Sequence, residues 1–356
     1  MYLYKISILY FYHLIVSNNA VSREIIQIQM VFRHGERSPT KLYPTDPYNN
    51  FSWPDGLGYL TNKGKLEMYN LGKQIRLKYE SFIPKYYSPL DVEVKSSYSD
   101  RCLMSAQLFT SGLFTPVGDQ IWNPDLLWQP IPIHYKPRNE DNMIASKQNC
   151  TKYDQVYKDL INSSKFKKIL NDNRKLLDYL TNHTGMSIDT LREAEELYNT
   201  LEIEQSHNLS LPEWTKNIFP ISMEPLAALS LASFTETDYM KKVKAGPLLK
   251  KILNNMKQKS SIGIVPKLLI YSGHDLTLVN ILRALGFSEQ IKPSFGAYII
   301  FELLNGTSID VNIIYNLHGE EKEFTLKECN FPCSLQNFEK VIQPLLPGNW
   351  IEECQL

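Results

Sequence analysis

A run of β-branched and apolar residues, Glu24-Ile25-Ile26-Gln27-Ile28-Gln29-Met30-Val31-Phe32, stops abruptly at Arg33-His34-Gly35-Glu36-Arg37-Ser38-Pro39. The run has the composition of a largely buried strand, so the charged heptad after it is a loop at a strand's end. Ligands of open α/β sheets bind outside the carboxyl ends of strands, which makes a loop carrying two arginines and a histidine a candidate anion site. Gly35 lets backbone approach a ligand closely, and Pro39 keeps the turn from continuing as a helix. Arg33 and Arg37 offer planar forks of donors suited to phosphate oxygens, and His34 is the group in the loop able to attack phosphorus when neutral. The bland alternative is a solvated basic loop with an incidental histidine. A second, distant element, Tyr271-Ser272-Gly273-His274-Asp275, favours the phosphoryl-transfer reading.

The R-H-G-x-R-S-P loop together with the distant S-G-H-D resembles the histidine acid phosphatase family (branch 2 histidine phosphatases). Residues 51–61, F-S-W-P-D-G-L-G-Y-L-T, resemble the family's segment after the loop, as does Ser99-Asp100-Arg101-Cys102-Leu103-Met104-Ser105-Ala106. Trp122-Asn123-Pro124, Leu127-Trp128-Gln129-Pro130 and Leu211-Pro212-Glu213-Trp214 also fit, so the resemblance covers nearly all of the chain after its first two dozen residues. Within the family the chain looks most similar to prostatic, lysosomal and insect venom acid phosphatases. By this resemblance His34 matches the nucleophile, Asp275 the proton donor, and Arg33, Arg37, Arg101 and His274 the phosphate ligands. It implies hydrolysis of phosphate monoesters through a phosphohistidine, with no cofactor and no metal.

The chemistry agrees with those assignments. A phosphate monoester carries close to two negative charges, and attack on it requires that charge to be neutralised and the phosphoryl group held in line. Three guanidinium groups meet that need and disfavour the imidazolium form of His34. Asp275 is pulled both ways: a helix N-terminus stabilises its anion, whereas burial and a bound phosphate favour the acid. The phosphate is expected to decide, assisted by acid pH. His134, His183, His207 and His318 show no partnered spacing and read as structural or surface groups.

Around these motifs the chain alternates. Thr61 caps a helix running through Glu80 with Leu66, Tyr69, Leu71, Gly72, Ile75 and Tyr79 on one face. Residues 91–96 alternate as a strand, and Ser99 or Asp100 starts a helix carrying Leu103, Met104, Leu108 and Phe109, with Arg101 in its anion-favouring first turn. Residues 121–137, rich in proline and tryptophan, read as extended chain. Helical patterns from 153 to 204, continued by 226–234 and 248–256, read as an inserted helical cap over about 138–258. Residues 267–271 form another buried strand, followed by a helix that Gly286 ends, and Asn305-Gly306 joins residues 295–304 and 308–315 as a hairpin. The fold class is α/β: a doubly wound, mostly parallel sheet with helices on both faces plus the cap, and the resemblance implies the same phosphoglycerate mutase-like architecture.

Charge and processing signals narrow the setting. Lys plus Arg and Asp plus Glu balance at 38 each, so no nucleic acid or anionic membrane surface is expected as a partner. Lys5, the apolar run 6–16 and the small residues Ala20 and Ser22 read as a signal peptide over residues 1–22, ahead of a single phosphatase domain, 23–356. No later segment is apolar enough for a membrane anchor, and secretion is expected, with the lysosomal lumen as alternative. Sequons at Asn50, Asn149, Asn162, Asn182, Asn208 and Asn305 are glycosylation candidates. Of five cysteines, Cys329 and Cys333 frame a short loop that a local bridge could close. The resemblance adds a bridge matching Cys150 to Cys354, which leaves Cys102 as a free, buried thiol expected to act as a small apolar side chain with little bearing on substrate affinity.

The substrate is expected to be a small-molecule phosphate monoester or a phosphorylated peptide, and several relatives are homodimers. Competing readings are a phosphoglycerate mutase-like transferase, a phytase-like specificity, and a secreted binding protein of the same fold with reduced catalysis.

Overall fold

The computed structural model describes residues 23–263, 265–329 and 332–356. The leader expected over residues 1–22 lies outside them. Strand β1 (Glu24–Arg33) occupies the centre of the sheet, and its side chains alternate between two cores. Ile28, Met30 and Phe32 face one, while Val31 and the buried amides Gln27 and Gln29 face the other. Gln29 Nε2 donates to Ile252 O at 2.8 Å and its oxygen accepts from Asn255 Nδ2 at 2.9 Å, so these buried polar groups are satisfied.

Helix α1 (Asn62–Lys78) and β2 (Val92–Ser96) come next in the chain, then α2 (Asp100–Leu113) and the short β3 (His134–Tyr135). Thr61 caps α1 as expected, its Oγ1 accepting from Gly64 N at 3.0 Å. The two helices cross at glycines. A Cβ on Gly72 would sit 2.0 Å from Phe109 O, and one on Gly112 would sit 2.1 Å from Tyr69 O. This close crossing sets the helix phases, and it corrects the sequence reading of α1 at Leu66. Leu66 is 59% exposed, and Gly64, Met68, Leu71, Gly72 and Ile75 form the buried face of α1. In α2 the buried face is Cys102, Ser105, Ala106, Phe109, Gly112 and Leu113, with Leu103 and Met104 only half-buried.

A helical run comes next: α3 (Thr151–Ile161), α4 (Ser164–Asp172), α5 (Arg174–Thr184), α6 (Leu191–Ser206), α7 (Glu224–Ser233), α8 (Asp238–Lys244) and α9 (Gly246–Ser261). Helices α4 to α7 share a core of their own around Phe166, Leu177, Leu180, Leu197, Leu201 and Leu226. Helix α9 does not join it; Leu249, Ile252, Leu253 and Met256 pack on the sheet with Leu269, Tyr271 and Ile299. The stretch read as cap over 138–258 thus ends in a helix of the sheet's own covering layer, because its apolar stripe meets strands rather than helices.

The chain returns through β4 (Leu268–Gly273), α10 (Asp275–Ala284), the hairpin β5 (Tyr298–Asn305) and β6 (Ile309–Asn316), β7 (Glu321–Glu323), β8 (Cys333–Ser334), α11 (Leu335–Ile342) and α12 (Trp350–Glu353). The sheet order is β3-β2-β4-β1-β5-β6-β7, with β8 on β6. It is mixed, parallel across β3, β2, β4 and β1 and antiparallel from β5 onward, since the tight turn at Asn305-Gly306 returns β6 beside β5. Helices α1 and α2 cover one face; α9, α10 and α11 cover the other.

Cys150 and Cys354 stand at disulfide distance, 2.13 Å between sulfurs, as do Cys329 and Cys333 at 1.96 Å, leaving Cys102 free and buried. All six sequon asparagines are exposed. Among the described residues no helix is long and apolar enough to cross a membrane.

Candidate active site

Three adjacent strands end side by side and deliver the charged groups to one place. Arg33 at the end of β1 pairs in register with Gly273 of β4, and Ser96 of β2 pairs with Ser272. His34 N donates to Gly273 O at 3.0 Å, and Ser97 N donates to Ser272 O at 2.9 Å, so the loops leave the sheet in parallel. Arg101 stands at the second position of α2, the turn after β2, as expected.

The loop after β1 is held from below by backbone contact. A Cβ on Gly35 would meet Gly64 O at 2.5 Å, and one on Gly64 would meet Glu36 O at 2.0 Å, so two glycines let the loop and the start of α1 touch. Gly35 N donates to Ser105 Oγ at 3.1 Å, and that hydroxyl donates to Arg101 O at 2.7 Å, tying the loop to the helix that carries the third arginine. The Glu36 carboxylate gathers Thr61 Oγ1 at 2.9 Å, Lys63 Nζ at 2.7 Å, Ser206 Oγ at 2.8 Å and His207 Nε2 at 2.8 Å. His207, just past the end of α6, thus lies beside the loop, though its Nε2 makes no hydrogen bond among the described residues.

The geometry fixes the His34 tautomer. Its Nδ1 lies 2.8 Å from Gly35 O, an acceptor, so Nδ1 carries the proton and Nε2 keeps its lone pair. Arg101 Nε donates to that nitrogen at 3.1 Å. Burial, then Arg101 and Arg33, hold His34 well below the ordinary histidine range. Burial and Arg101 likewise push His274 down to about 3. The two rings meet edge to face, 5.6 Å between centroids.

Each of the remaining groups is held by named partners. His274 Nε2 is 2.9 Å from Ser97 Oγ, and His274 N donates to Thr277 Oγ1 at 3.0 Å. Arg33, 1% exposed, lies 3.1 Å from Asp275 Oδ2 through Nη2, donates to Pro293 O through Nη1, and stacks on Phe295 with Cζ 4.0 Å from the ring centroid. Arg37 Nη1 donates to Ser38 O at 2.9 Å. Arg33 Nε and Nη2 and Arg37 Nε are buried without a hydrogen-bond partner among the described residues, so Arg33 meets Asp275 as an ion pair. Arg37 is pushed down to about 9 by burial and by Arg101 and Arg33, a sign that cations crowd here without enough anionic charge. Burial alone would raise Asp275, but Arg33, His274 and Lys292 outweigh it and hold the carboxyl well below the usual carboxylate range.

All six residues singled out from sequence thus come together at one place. Cys102 is buried as expected, yet it does not face plain core: its thiol donates to Gly273 O at 3.3 Å and lies 3.6 Å from His274 Nε2. Sequence reasoning missed Ser97, Phe295 and Lys292, for which no local signal exists, and the role of Ser105, although that serine stands inside the motif that carries Arg101. Among the described residues no three His, Cys, Asp or Glu side chains stand together as a metal set.

An arrangement of neutral imidazole, crowded guanidinium groups and a carboxyl at a helix start can bind a phosphate dianion and attack it in line. The sequence matches the histidine phosphatase superfamily (branch 2) over residues 24–316. It is 34% identical to human lysosomal acid phosphatase over 355 residues, covering 97% of this chain and 83% of that protein. It is 32% identical to human prostatic acid phosphatase over 347 residues, covering 95% and 90%. A Hafnia alvei phytase solved with myo-inositol hexakis sulphate shares the fold, with a TM-score of 0.72, 18% identity and coverage of 94% and 99%. The chain belongs to the histidine phosphatase superfamily (branch 2), and its activity is that of an acid phosphatase.

Proposed function

We propose that the protein is a secreted acid phosphatase that hydrolyses small phosphate monoesters or phosphorylated peptides through a phosphohistidine on His34. The observation that carries the mechanism is the His34 tautomer, with Nδ1 spent on Gly35 O and the Nε2 lone pair beside Arg101. An incoming phosphate draws the guanidinium groups of Arg33, Arg37 and Arg101, with His274, onto its oxygens and frees Nε2 for attack. The P–N bond forms as the P–O bond to the alcohol breaks, and Asp275 gives the departing oxygen its proton. Water then breaks the P–N bond, with Asp275 taking the proton back. In the free enzyme Asp275 is an anion paired with Arg33, so bound phosphate, by drawing Arg33 away and adding negative charge, supplies its proton affinity.

Secretion is supported by the leader pattern, the two cystine pairs and the exposure of Asn50, Asn149, Asn162, Asn182, Asn208 and Asn305. A homodimer belongs to the same reading: Trp122, Leu127 and Tyr135, 57%, 59% and 58% exposed, cluster along the segment leading to the edge strand β3, and such apolar edges seek a partner. Light scattering on wild type and Leu127→Glu tests that part; equal monomer masses refute it.

The mechanism is tested by acid quench during turnover of labelled substrate. Wild type should yield acid-labile phosphoenzyme and His34→Ala should yield none and no turnover. Acid-stable phosphoserine in its place would overturn the scheme.

A further inference from the structure

The loop between α10 and β5 carries a buried charge that the proposed reaction does not use. Lys292 is 4% exposed. Its Nζ pairs with Glu202 Oε2 on α6 and lies 4.8 Å from the ring centroid of Tyr198, one turn earlier on the same helix. The next residue, Pro293, supplies the carbonyl that accepts from Arg33 Nη1, and Phe295 stacks on Arg33 and lies 5.8 Å from the His34 ring. At its far end the loop is fixed by Ser294, whose N and Oγ both donate to Leu317 O, at 2.9 and 2.6 Å, and by Ala297 O, which accepts from Arg33 N at 2.8 Å. The segment 292–297 is therefore the surface against which Arg33 is aimed, and Lys292 ties its near end to α6.

We propose that Lys292 is a positioning residue for the reaction: through Glu202 and Tyr198 it sets the loop that aims Arg33 and, with it, the Arg33–Asp275 pair. A lysine taken out of water is retained as a cation only beside compensating charge, and Glu202 provides it. The same ammonium adds to the field at Asp275, after Arg33 and His274. The other charged groups within electrostatic reach of that carboxyl are Arg37, Lys147 and, on α6, Arg192 and the like-charged Glu195. Loss of Lys292 thus has two separable effects, on the aim of Arg33 and on the proton held by Asp275. The inference rests on the proposed roles of those two residues.

The test compares Lys292→Met, the double variant Lys292→Met with Glu202→Gln, and Lys292→Arg, using inorganic phosphate as inhibitor and an alkyl phosphate as substrate. Lys292→Met should weaken phosphate inhibition and lower kcat/KM by roughly tenfold, as loss of aim at a catalytic group does. The alkaline limb of kcat should move to higher pH, because a carboxyl with fewer cations beside it keeps its proton longer. Lys292→Arg should restore the limb. The double variant leaves no orphaned carboxylate, so it keeps the test valid if Lys292→Met folds poorly. An unmoved alkaline limb in folded Lys292→Met, unchanged phosphate inhibition in the double variant, or a loss of thermal stability with a uniform fall in kcat, would overturn the inference. No turnover of alkyl phosphates by wild type would instead overturn the proposed roles of Arg33 and Asp275.

Discussion

Burial and the surrounding guanidinium groups keep the His34 imidazole neutral far into the acid range, so acidity leaves the nucleophile intact while it favours the proton on Asp275. The division of labour between the two residues has a leaving-group signature. An alkoxide needs a proton as it departs, whereas nitrophenolate leaves well unaided. Asp275→Asn should slow alkyl phosphates by on the order of 10²- to 10⁴-fold and nitrophenyl phosphate much less. Equal slowing would mean that Asp275 only orients Arg33. Beside this pair, Cys102 is held as a thiol, its pKa pushed up to about 12 by burial. Native protein should therefore resist thiol labelling and unfolded protein should yield one thiol. Cys102→Ser is expected to cost about 1 kcal/mol in the unfolding free energy, the low end for burying a hydroxyl, because Gly273 O is in place to accept from it. Because the sulfur touches His274, the substitution should also change the inhibition constant of phosphate, contrary to the expectation from sequence.

At the scale of elements, α6 links the helical segment to the catalytic loop. Ser206 reaches Glu36 and Glu202 reaches Lys292 from its last turns, and between them Glu204 is wholly buried with its carboxyl set against that of Asp46. Burial, then Asp46, pushes Glu204 from an ordinary 4.5 up to about 9, so the folded protein holds a proton there that the unfolded chain releases. Linkage sets the sign. Between those two values the native state binds more protons, and stability falls as pH rises, being fully present only below about 4.5. Glu204→Gln, neutral at every pH, should melt higher than wild type by a margin that grows from pH 5 to pH 7.5; a constant margin would refute an ionisable Glu204. Nothing in the sequence marked this residue. The legible features were those with local causes: strands ending in Arg33 and Gly273, the Thr61 cap, the Asn305-Gly306 hairpin. The face of α1 was misread at Leu66 alone, which the close crossing of Gly72 and Gly112 turns outward. The contacts of His274 with Ser97 and of Lys292 with Glu202 span 177 and 90 residues and had no pattern to betray them.

For the whole molecule, the question is what keeps the helical segment registered on the sheet so that α6 can brace the site. The start of α3 is bonded to the residue after α12 through Cys150 and Cys354, and that bridge sits in a small core with Tyr153, Met240 and Val243. It closes 204 residues of chain, nearly all of the helical run together with β4 to β8, whereas Cys329–Cys333 closes four. A cross-link restricts the unfolded chain more the longer the loop it closes, so chain entropy assigns about 5 kcal/mol to the long bridge and about 2 kcal/mol to the short one. Replacing Cys150 and Cys354 together by alanine should therefore lower the unfolding free energy by clearly more than replacing Cys329 and Cys333. It should also raise the KM for phosphate esters, because looser docking of the helical run relaxes the grip of Ser206 on Glu36 and of Glu202 on Lys292. The short-bridge variant should leave KM unchanged, since its loop lies away from those contacts. Denaturant titration and kinetics on both variants decide the matter: equal stability losses, or a KM that moves only with the short bridge, would show that the long bridge does not hold the helices over the site.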